Sequence, residues 1–90
     1  MSAERVRYTL FLDRDGTLVR EPADFRVDDL AKVDFLPHVA ESLAELYRLG
    51  FRFVLVSNQD GLGTPEFPYT CFDRPHRFIL TYLEWRGVPF

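Results

Sequence analysis

Two acidic residues separated by a single residue, Asp13 and Asp15, follow an apolar run and stand just before Gly16. Two carboxylates placed this closely can share a bound cation, and one of them can carry a proton to or from a reacting group. The same residue types are favoured in tight turns, so the pair alone leaves a chemical and a purely structural interpretation open. Which interpretation applies depends on the strands and turns that position the two carboxylates.

Two short apolar runs predict the strands of a sheet. Residues 8–12 are apolar or β-favouring and end at the acidic pair, and residues 51–57, FRFVLVS, form a second run of this kind. Continuous apolar runs of this length that end in polar turns are typical of strands buried on both faces. We therefore expect two such strands.

A helix is predicted between the two strands, because apolar residues recur there at the spacing of an amphipathic helix. Its apolar positions are Val39, Leu43, Leu46 and Tyr47. Pro37 can open this helix and Gly50 can close it. The order strand, helix, strand predicts a βαβ unit with a parallel sheet and a right-handed crossover.

The remaining segments are predicted as a flap, a loop and a second helix. Residues 19–35 are too long for an ordinary connection and carry scattered hydrophobic residues, which predicts a flap over the strand ends. Residues 58–75 are rich in Gly and Pro and are predicted as a loop at the same edge. The second helix should have Asp73 as its N-cap, Pro75 in its first turn and Gly87 past its end. Its apolar positions are Phe78, Ile79, Tyr82, Leu83 and Trp85.

The predicted sheet is incomplete. Residues 88–90, VPF, stand where a chain leaving the second helix should enter a third parallel strand. Two strands with two helices leave strand edges unpaired and an apolar face uncovered, which is poor for independent stability. We therefore predict an α/β fold with a Rossmann-like parallel sheet and a flap, in which residues 1–90 are the N-terminal portion of a larger domain. Self-association, or pairing with a missing C-terminal part, is expected.

Composition excludes several classes of partner. The 90 residues are 47% hydrophobic, and their net charge of -3 includes no basic block, which argues against nucleic acid. No apolar run approaches the roughly 18 residues of a membrane helix, and the N-terminus has too short an apolar core for a signal peptide. Cys71 is the only cysteine, and a lone thiol fits a reducing cytoplasm. We expect a cytoplasmic protein without a membrane partner.

The predicted topology brings polar residues together at one edge of the sheet. Ligands of an open parallel sheet bind beyond the carboxyl ends of its strands. Asp13 and Asp15 follow the first strand, and Ser57, Asn58 and Gln59 follow or end the second. These residues form the candidate site. Arg14, between the two acids, is expected to point away from its neighbours, because successive side chains alternate in direction.

Several motifs resemble those of known phosphatases. The stretch DRDGT after the first strand resembles motif I, DxDGT, of the haloacid dehalogenase-like phosphatases, and VSN after the second resembles their motif II. The stretches DFRVD, FLPHV, NQDGLGT and FDRPH extend the likeness to the histidinol-phosphate phosphatase family, including the N-terminal phosphatase part of the bifunctional histidine-biosynthesis enzyme. The resemblance covers nearly all of residues 8–90.

The resemblance implies a phosphoryl-transfer site. Asp13 would be the nucleophile that forms an aspartyl-phosphate, and Asp15 would protonate the leaving alcohol and then deprotonate the attacking water. Mg²⁺ would be bound by the Asp13 carboxylate and the Asp15 backbone carbonyl. Ser57, the backbone N–H of Asn58 and the turn at Gly16 would hold the phosphoryl oxygens.

The resemblance also implies the substrate, a small phosphomonoester identified with histidinol phosphate in histidine biosynthesis. Glu21, Gln59 and His76 are the candidate substrate-binding residues. Glu21, together with Asp24 and Asp28 of the flap, offers negative charge to a substrate whose amine and imidazole can be positive. Ordinary solvated loop acids are the alternative interpretation.

The sequence lacks several motifs of the family pattern. Residues 60–90 contain neither a recognisable motif III basic residue nor the motif IV acidic pair, and the family's cysteine and histidine zinc loop is absent. Cys71 and His76 cannot replace that loop, because a structural zinc site needs four ligands and the chain has one Cys and two His. Mg²⁺ is therefore expected without zinc. Two alternatives remain: a heptose-bisphosphate phosphatase, against which NQDGLGT and FDRPH argue, and a non-catalytic fragment or pseudoenzyme that acts as a binding or assembly half.

Overall fold

The computed structural model describes residues 7–90 and consists of one parallel sheet with two helices. Its elements are β1 (Tyr8–Asp13), a 3-10 turn (Leu30–Lys32), α1 (Val39–Arg48), β2 (Phe51–Val56) and α2 (Tyr69–Trp85). The two strands pair in parallel, with Tyr8 opposite Phe51 and Asp13 opposite Val56. The predicted α/β class, strand–helix–strand order and parallel pairing are confirmed.

Both helices pack against the same face of the sheet, which we call the inner face. Side chains alternate along a strand, so Leu10 and Leu12 of β1 share this face with their neighbours Phe53 and Leu55 of β2. The buried core formed on this side contains Leu18, Val19, Ala40, Leu43, Phe53, Ile79, Leu83 and Val88. The apolar stripes predicted for the two helices supply three of these eight residues, Leu43, Ile79 and Leu83.

The opposite face of the sheet, which we call the outer face, is open to solvent. Phe11 is 70% exposed, and Val54 and Val56 are 42% and 52% exposed. The expectation that both strands are buried on both faces is therefore wrong for the described residues. A parallel sheet needs a layer on each side, and α1 and α2 provide only one of them.

The ends of α1 agree with the sequence pattern. The helix begins after His38, whose backbone is in the left-handed region with φ 64°. It ends before Gly50, which has φ 108°, a conformation that costs a glycine little and other residues more. Gly50 donates its backbone N–H to the Tyr47 carbonyl at 3.0 Å and so closes the last turn.

The second helix begins earlier than expected. It starts at Tyr69 after Pro68, so Asp73 is not its N-cap and Pro75 lies inside the helix rather than in its first turn. The added turn is stabilised by Phe72, a buried side chain whose ring packs edge-on against that of Phe67 with centroids 6.2 Å apart. The predicted loop over residues 58–75 therefore ends at Pro68.

Inside the longer helix, Asp73 pairs with Arg77 through a 2.9 Å contact one turn further on. The predicted end of the helix is confirmed, because Arg86 follows its last turn and Gly87 adopts φ 87°. Burial of Pro75 explains why an internal proline, which removes one helical hydrogen bond, is tolerated here.

Residues 19–35 cross the carboxyl ends of the strands as the predicted flap. Val19 forms isolated bridges to both Asp15 and Phe35, which ties the two ends of this segment together. Val27 is fully buried, and the 3-10 turn at Leu30–Lys32 contacts α2. The flap is therefore anchored to the body of the protein on both sides of its exposed tip.

The outer face yields a prediction about association. We expect the chain to self-associate through Phe11, Val54 and Val56, because isolated apolar patches of this kind are buried when a partner copy is available. Light scattering should give a mass above that of the monomer. The double variant Phe11→Ser/Val54→Ser should shift the mass toward the monomer.

The control is Leu49→Ser, which removes an exposed apolar side chain at the C-cap of α1 and not in a strand. It should leave the mass of the associated species unchanged. A wild-type chain that is monomeric at high concentration would contradict the prediction.

Candidate active site

The carboxyl ends of β1 and β2 form one wall of an open cleft. Its volume is about 430 Å³. The residues that line it are Asp13, Asp15, Glu21, Phe25, Asn58 and Asp60. They come from three segments, the turn after β1, the flap and the loop after β2, which meet at this edge of the sheet. Four of the six are acidic, and none is basic.

The turn after β1 presents the Asp13 carboxylate to the cleft. Asp13 is the last residue of the strand and is exposed, and its Oδ1 accepts a hydrogen bond from the backbone N–H of Arg14 at 3.0 Å. Gly16 has φ 88° and donates its N–H to the Val19 carbonyl at 2.7 Å. The chain can therefore reverse within a few residues and keep Asp13 at the tip of the strand.

The side chain of Asp15 is held by its neighbour Arg14. The Arg14 Nε donates to Oδ1 of Asp15 at 2.6 Å, and its Nη2 donates to Oδ2 at 3.0 Å. The Arg14 side chain is fully buried, and that of Asp15 is 8% exposed. Arg14 is the only buried charged residue among residues 7–90. The expectation that Arg14 points away from both acids is wrong, because its long side chain curves back onto Asp15.

The other side of the Arg14 guanidinium faces α2. Its Cζ lies 5.0 Å from the centre of the Phe72 ring, and its Nη1 lies 3.1 Å from Nδ1 of His76. The rings of Phe72 and His76 are stacked with centroids 4.8 Å apart. Burial is the main cause that lowers the pKa of His76, and the Arg14 charge lowers it further, whereas Asp73 and Asp15 oppose the shift.

Gln59 links the end of β2 to the same carboxylate. Its Nε2 donates to Oδ2 of Asp15 at 3.0 Å and also contacts the hydroxyl of Ser57. Its Oε1 is buried and has no hydrogen-bond partner within the part of the chain that the structure describes. Both oxygens of Asp15 are therefore engaged, and Asp15 connects the two strand ends.

Among the sequence candidates, Asp13, Asp15, Glu21 and Asn58 line the cleft together. Gly16 forms the turn below them. Gln59 is connected to the site by its hydrogen bond to Asp15, and Ser57 contacts Gln59. His76 lies behind Arg14 and is not among the lining residues.

Asp24 and Asp28, the two flap acids named together with Glu21, form ion pairs with Lys32. The Lys32 Nζ lies 2.8 Å from Oδ2 of Asp24 and 2.7 Å from Oδ1 of Asp28. The hydrogen bond to Lys32 lowers the pKa of Asp24, and the same pair of carboxylates raises the pKa of Lys32. Glu21 has no ion-pair partner among residues 7–90 and lines the cleft.

Three contributors were not predicted from the sequence: Phe25 and Asp60 in the cleft, and the clamp that Arg14 forms on Asp15. Asp60 directly follows the candidate Gln59, so its position after β2 was an available signal. Phe25 has a positive φ of 62°, which nothing in the sequence indicates.

The donor groups at the cleft fit a hard cation. Mg²⁺ is usually bound by one or two carboxylates together with substrate phosphate and several waters. Asp13 offers an exposed carboxylate oxygen, and the Asp15 carbonyl is the second oxygen in the same turn. No group of three or more His, Cys, Asp or Glu side chains is placed to hold a metal ion within residues 7–90. Any Mg²⁺ here would therefore keep much of its water or bind with the substrate.

The chain resembles known proteins in sequence and in fold. No family model matches the chain. It is 46% identical over 81 residues to the histidine biosynthesis bifunctional protein HisB of Stenotrophomonas maltophilia, a match that covers 90% of this chain and 23% of the relative. It is 48% identical over 82 residues to HisB of Buchnera aphidicola, with the same two shares. The chain thus spans about a quarter of the length of these relatives.

Two solved structures share the fold. A D,D-heptose 1,7-bisphosphate phosphatase of B. bronchiseptica, complexed with magnesium and phosphate, superposes with a TM-score of 0.78 and 26% identity over 90% of this chain and 45% of its own. A protein of Mesorhizobium loti assigned to the HAD-like phosphatases superposes with a TM-score of 0.74 and 28% identity, over 94% of this chain and 39% of its own.

The resemblance to the haloacid dehalogenase-like phosphatases is confirmed. Over about 90% of its length the chain is similar in sequence to part of HisB and in its α/β fold to part of the two solved phosphatase structures, and its acidic pair lies at the end of the first strand. No helix within residues 7–90 is long and apolar enough to cross a membrane. The prediction about a signal peptide concerns the N-terminus, of which residues 1–6 lie outside the described residues.

The buried ion pair gives a prediction about stability. Arg14→Met leaves the Asp15 carboxylate largely buried without its cation, and such a break should cost about 3 to 5 kcal/mol of unfolding free energy. The matched control is Arg20→Met, which removes a similar pair with Asp34 in solvent and should cost about 0 to 1 kcal/mol.

Urea unfolding followed by circular dichroism measures both variants. A loss large enough to leave the Arg14 variant unfolded without urea also agrees with the prediction. Equal, small losses for the two variants would contradict it.

Proposed function

We propose that this chain carries the nucleophile and the proton-transfer carboxylate of a Mg²⁺-dependent phosphomonoesterase that converts histidinol phosphate to histidinol. The observation that carries the proposal is the contrast between its two acids. Asp13 is exposed at the tip of β1, whereas Asp15 is nearly buried and held by three donors from two other side chains. One carboxylate is free to attack, and the other is fixed.

The first half-reaction uses both residues. An Asp13 carboxylate oxygen attacks phosphorus, the bond from phosphorus to the substrate oxygen breaks, and Asp15 gives its proton to the departing alkoxide. Giving up this proton restores the full ion pair with Arg14, which favours its release. A bound Mg²⁺ would offset the negative charge of the phosphoryl oxygens, with the Asp13 carboxylate and the Asp15 carbonyl as its protein ligands.

The second half-reaction regenerates the site. Asp15, now ionised, takes a proton from a water molecule whose oxygen attacks phosphorus, and the bond from phosphorus to Asp13 breaks to release inorganic phosphate. Arg14 holds this carboxylate in place through its Nε and Nη2. Ser57, Asn58 and the turn at Gly16 are the proposed partners of the phosphoryl oxygens.

The charge of the cleft supports histidinol phosphate over a bisphosphate. Glu21 and Asp60 face the cleft beyond the acidic pair, and no basic side chain of residues 7–90 lines it. The negative potential of the cleft favours binding of a substrate whose amine and imidazole are positive, whereas it would repel a second phosphate. The HisB likeness at 46% identity supports the same choice.

A heptose-bisphosphate phosphatase is the second candidate within this reaction class, because the structure of such an enzyme superposes with a TM-score of 0.78. The alternative from another class is a non-catalytic binding or assembly half. It is supported by the short span of the chain relative to its relatives and by the uncovered outer face. The histidine-biosynthesis relatives support a cytoplasmic setting as part of the proposal.

Replacement of the nucleophile tests the reaction. Asp13→Asn should lower the rate of phosphate release from histidinol phosphate with Mg²⁺ by about 10³-fold or more, because an amide does not attack phosphorus. The control Glu84→Gln, an exposed acid near the end of α2, should keep the wild-type rate. A wild-type chain that folds and binds Mg²⁺ but releases no phosphate would favour the non-catalytic alternative.

Glu21 tests the substrate. Glu21→Gln should raise KM for histidinol phosphate about 1.5- to fivefold, the range expected for loss of one partly screened charge contact, and leave KM unchanged for aryl phosphates, which carry no positive group. Steady-state kinetics with both substrates measures the difference. A change of KM that is equal for the two substrates, or faster turnover of heptose bisphosphate by the wild type, would contradict the assignment.

A further inference from the structure

The contact between Arg14 and His76 has no part in the reaction proposed above. It lies behind the cleft, where Nη1 of Arg14 is 3.1 Å from Nδ1 of His76. Phe72 packs against both groups, with its ring centre 5.0 Å from the guanidinium carbon and 4.8 Å from the centre of the imidazole. The three side chains form a packed cluster that joins the turn after β1 to α2.

The chemistry of the contact fixes the state of His76. A guanidinium has only donors, so Nδ1 of His76 must accept the hydrogen bond and carry no proton. The proton of the neutral imidazole is then on Nε2. A doubly protonated ring would have no acceptor and would place a second positive charge beside Arg14, with Asp15 and Asp73 as the nearby negative groups.

The contact also selects one edge of the guanidinium. Arg14 holds Asp15 through Nε and Nη2, although an arginine can bind a carboxylate equally through its two terminal nitrogens. Because Nη1 is held by His76 on α2, the guanidinium plane is fixed with its Nε and Nη2 edge toward Asp15. The carboxylate is therefore kept in a single orientation relative to the cleft.

We propose that His76 is a positioning residue, which accepts a hydrogen bond from Arg14 and thereby fixes the orientation of the Asp15 carboxylate. The consequence for catalysis rests on the proposed function, since it takes Asp15 as the proton-transfer group. The contact itself does not depend on that function. The proposal assigns His76 a role through Arg14 and not a contact with substrate.

Two substitutions separate the hydrogen bond from the stacking. His76→Asn keeps an acceptor close to the position of Nδ1 and removes the ring, whereas His76→Phe keeps the stacked ring and removes the acceptor. His38→Asn serves as the control, because His38 is exposed before α1 and its left-handed backbone suits asparagine. All three variants are first compared with the wild type in thermal unfolding.

The structural readout is nitrogen NMR of the full chain. The wild-type imidazole should show an unprotonated Nδ1 and a protonated Nε2, and it should titrate below 6.5. The Nε–H signal of Arg14 should keep its position in His76→Asn and His38→Asn and should shift or broaden in His76→Phe. A protonated Nδ1, or an Arg14 signal unaffected in His76→Phe, would overturn the proposal.

The kinetic readout uses histidinol phosphate with Mg²⁺. His76→Phe should lower kcat about tenfold with KM within about twofold, since Asp15 is misaligned but binding groups are intact. His76→Asn should restore kcat to within about threefold of the wild type. A loss only in His76→Asn would overturn the proposal in favour of a stacking role. Equal losses in the two variants would also overturn it, because the acceptor of asparagine would then not preserve kcat.

The two readouts also separate this inference from the proposed function. If the wild type shows no phosphatase activity and the NMR results are as expected, the proposed function fails and the positioning of Asp15 stands. If the wild type is active but His76→Phe retains full kcat and the Arg14 signal, the positioning role fails and the proposed function stands.

Discussion

The guanidinium of Arg14 is fully buried, and the arrangement of the site follows from what keeps a positive charge there. An unpaired charge in this position would cost several kcal/mol. Asp15 supplies the counter-charge, His76 an acceptor and Phe72 an aromatic face. These partners come from the turn after β1 and from α2, so satisfying one charge brings the carboxyl end of the sheet and the second helix together.

The same constraint separates the environments of two acids that are identical in type and separated in sequence only by Arg14. Asp15 is drawn inward by Arg14, and the amide of Gln59 reaches it from the end of β2. Asp13 belongs to the regular strand, so the alternation of side chains turns it to the outer side and leaves it exposed. One turn thereby provides an exposed carboxylate and a fixed one, which the proposed reaction uses as nucleophile and proton-transfer group.

The local parts of this fold were predictable from sequence, and the parts that depend on distant packing were not. Apolar runs and helical spacing located both strands and α1, and Gly87 marked the end of α2. The start of α2 was misplaced because Asp73 satisfies the N-cap rule, whereas packing of Phe72 on Phe67 extends the helix. The partner of Arg14 on α2 lies 62 positions away, so no local rule could orient it.

Hydrogen exchange of the arginine side chains tests the central claim most directly. Arg14, Arg20 and Arg77 each donate an Nε–H to an aspartate, but only the Arg14 pair is buried. The account predicts that the Nε–H of Arg14 exchanges with solvent at least about 10²-fold more slowly than the other two, because its exchange requires the structure to open. Exchange of all three at similar rates would show that Arg14 is not held inside the protein and would contradict the account.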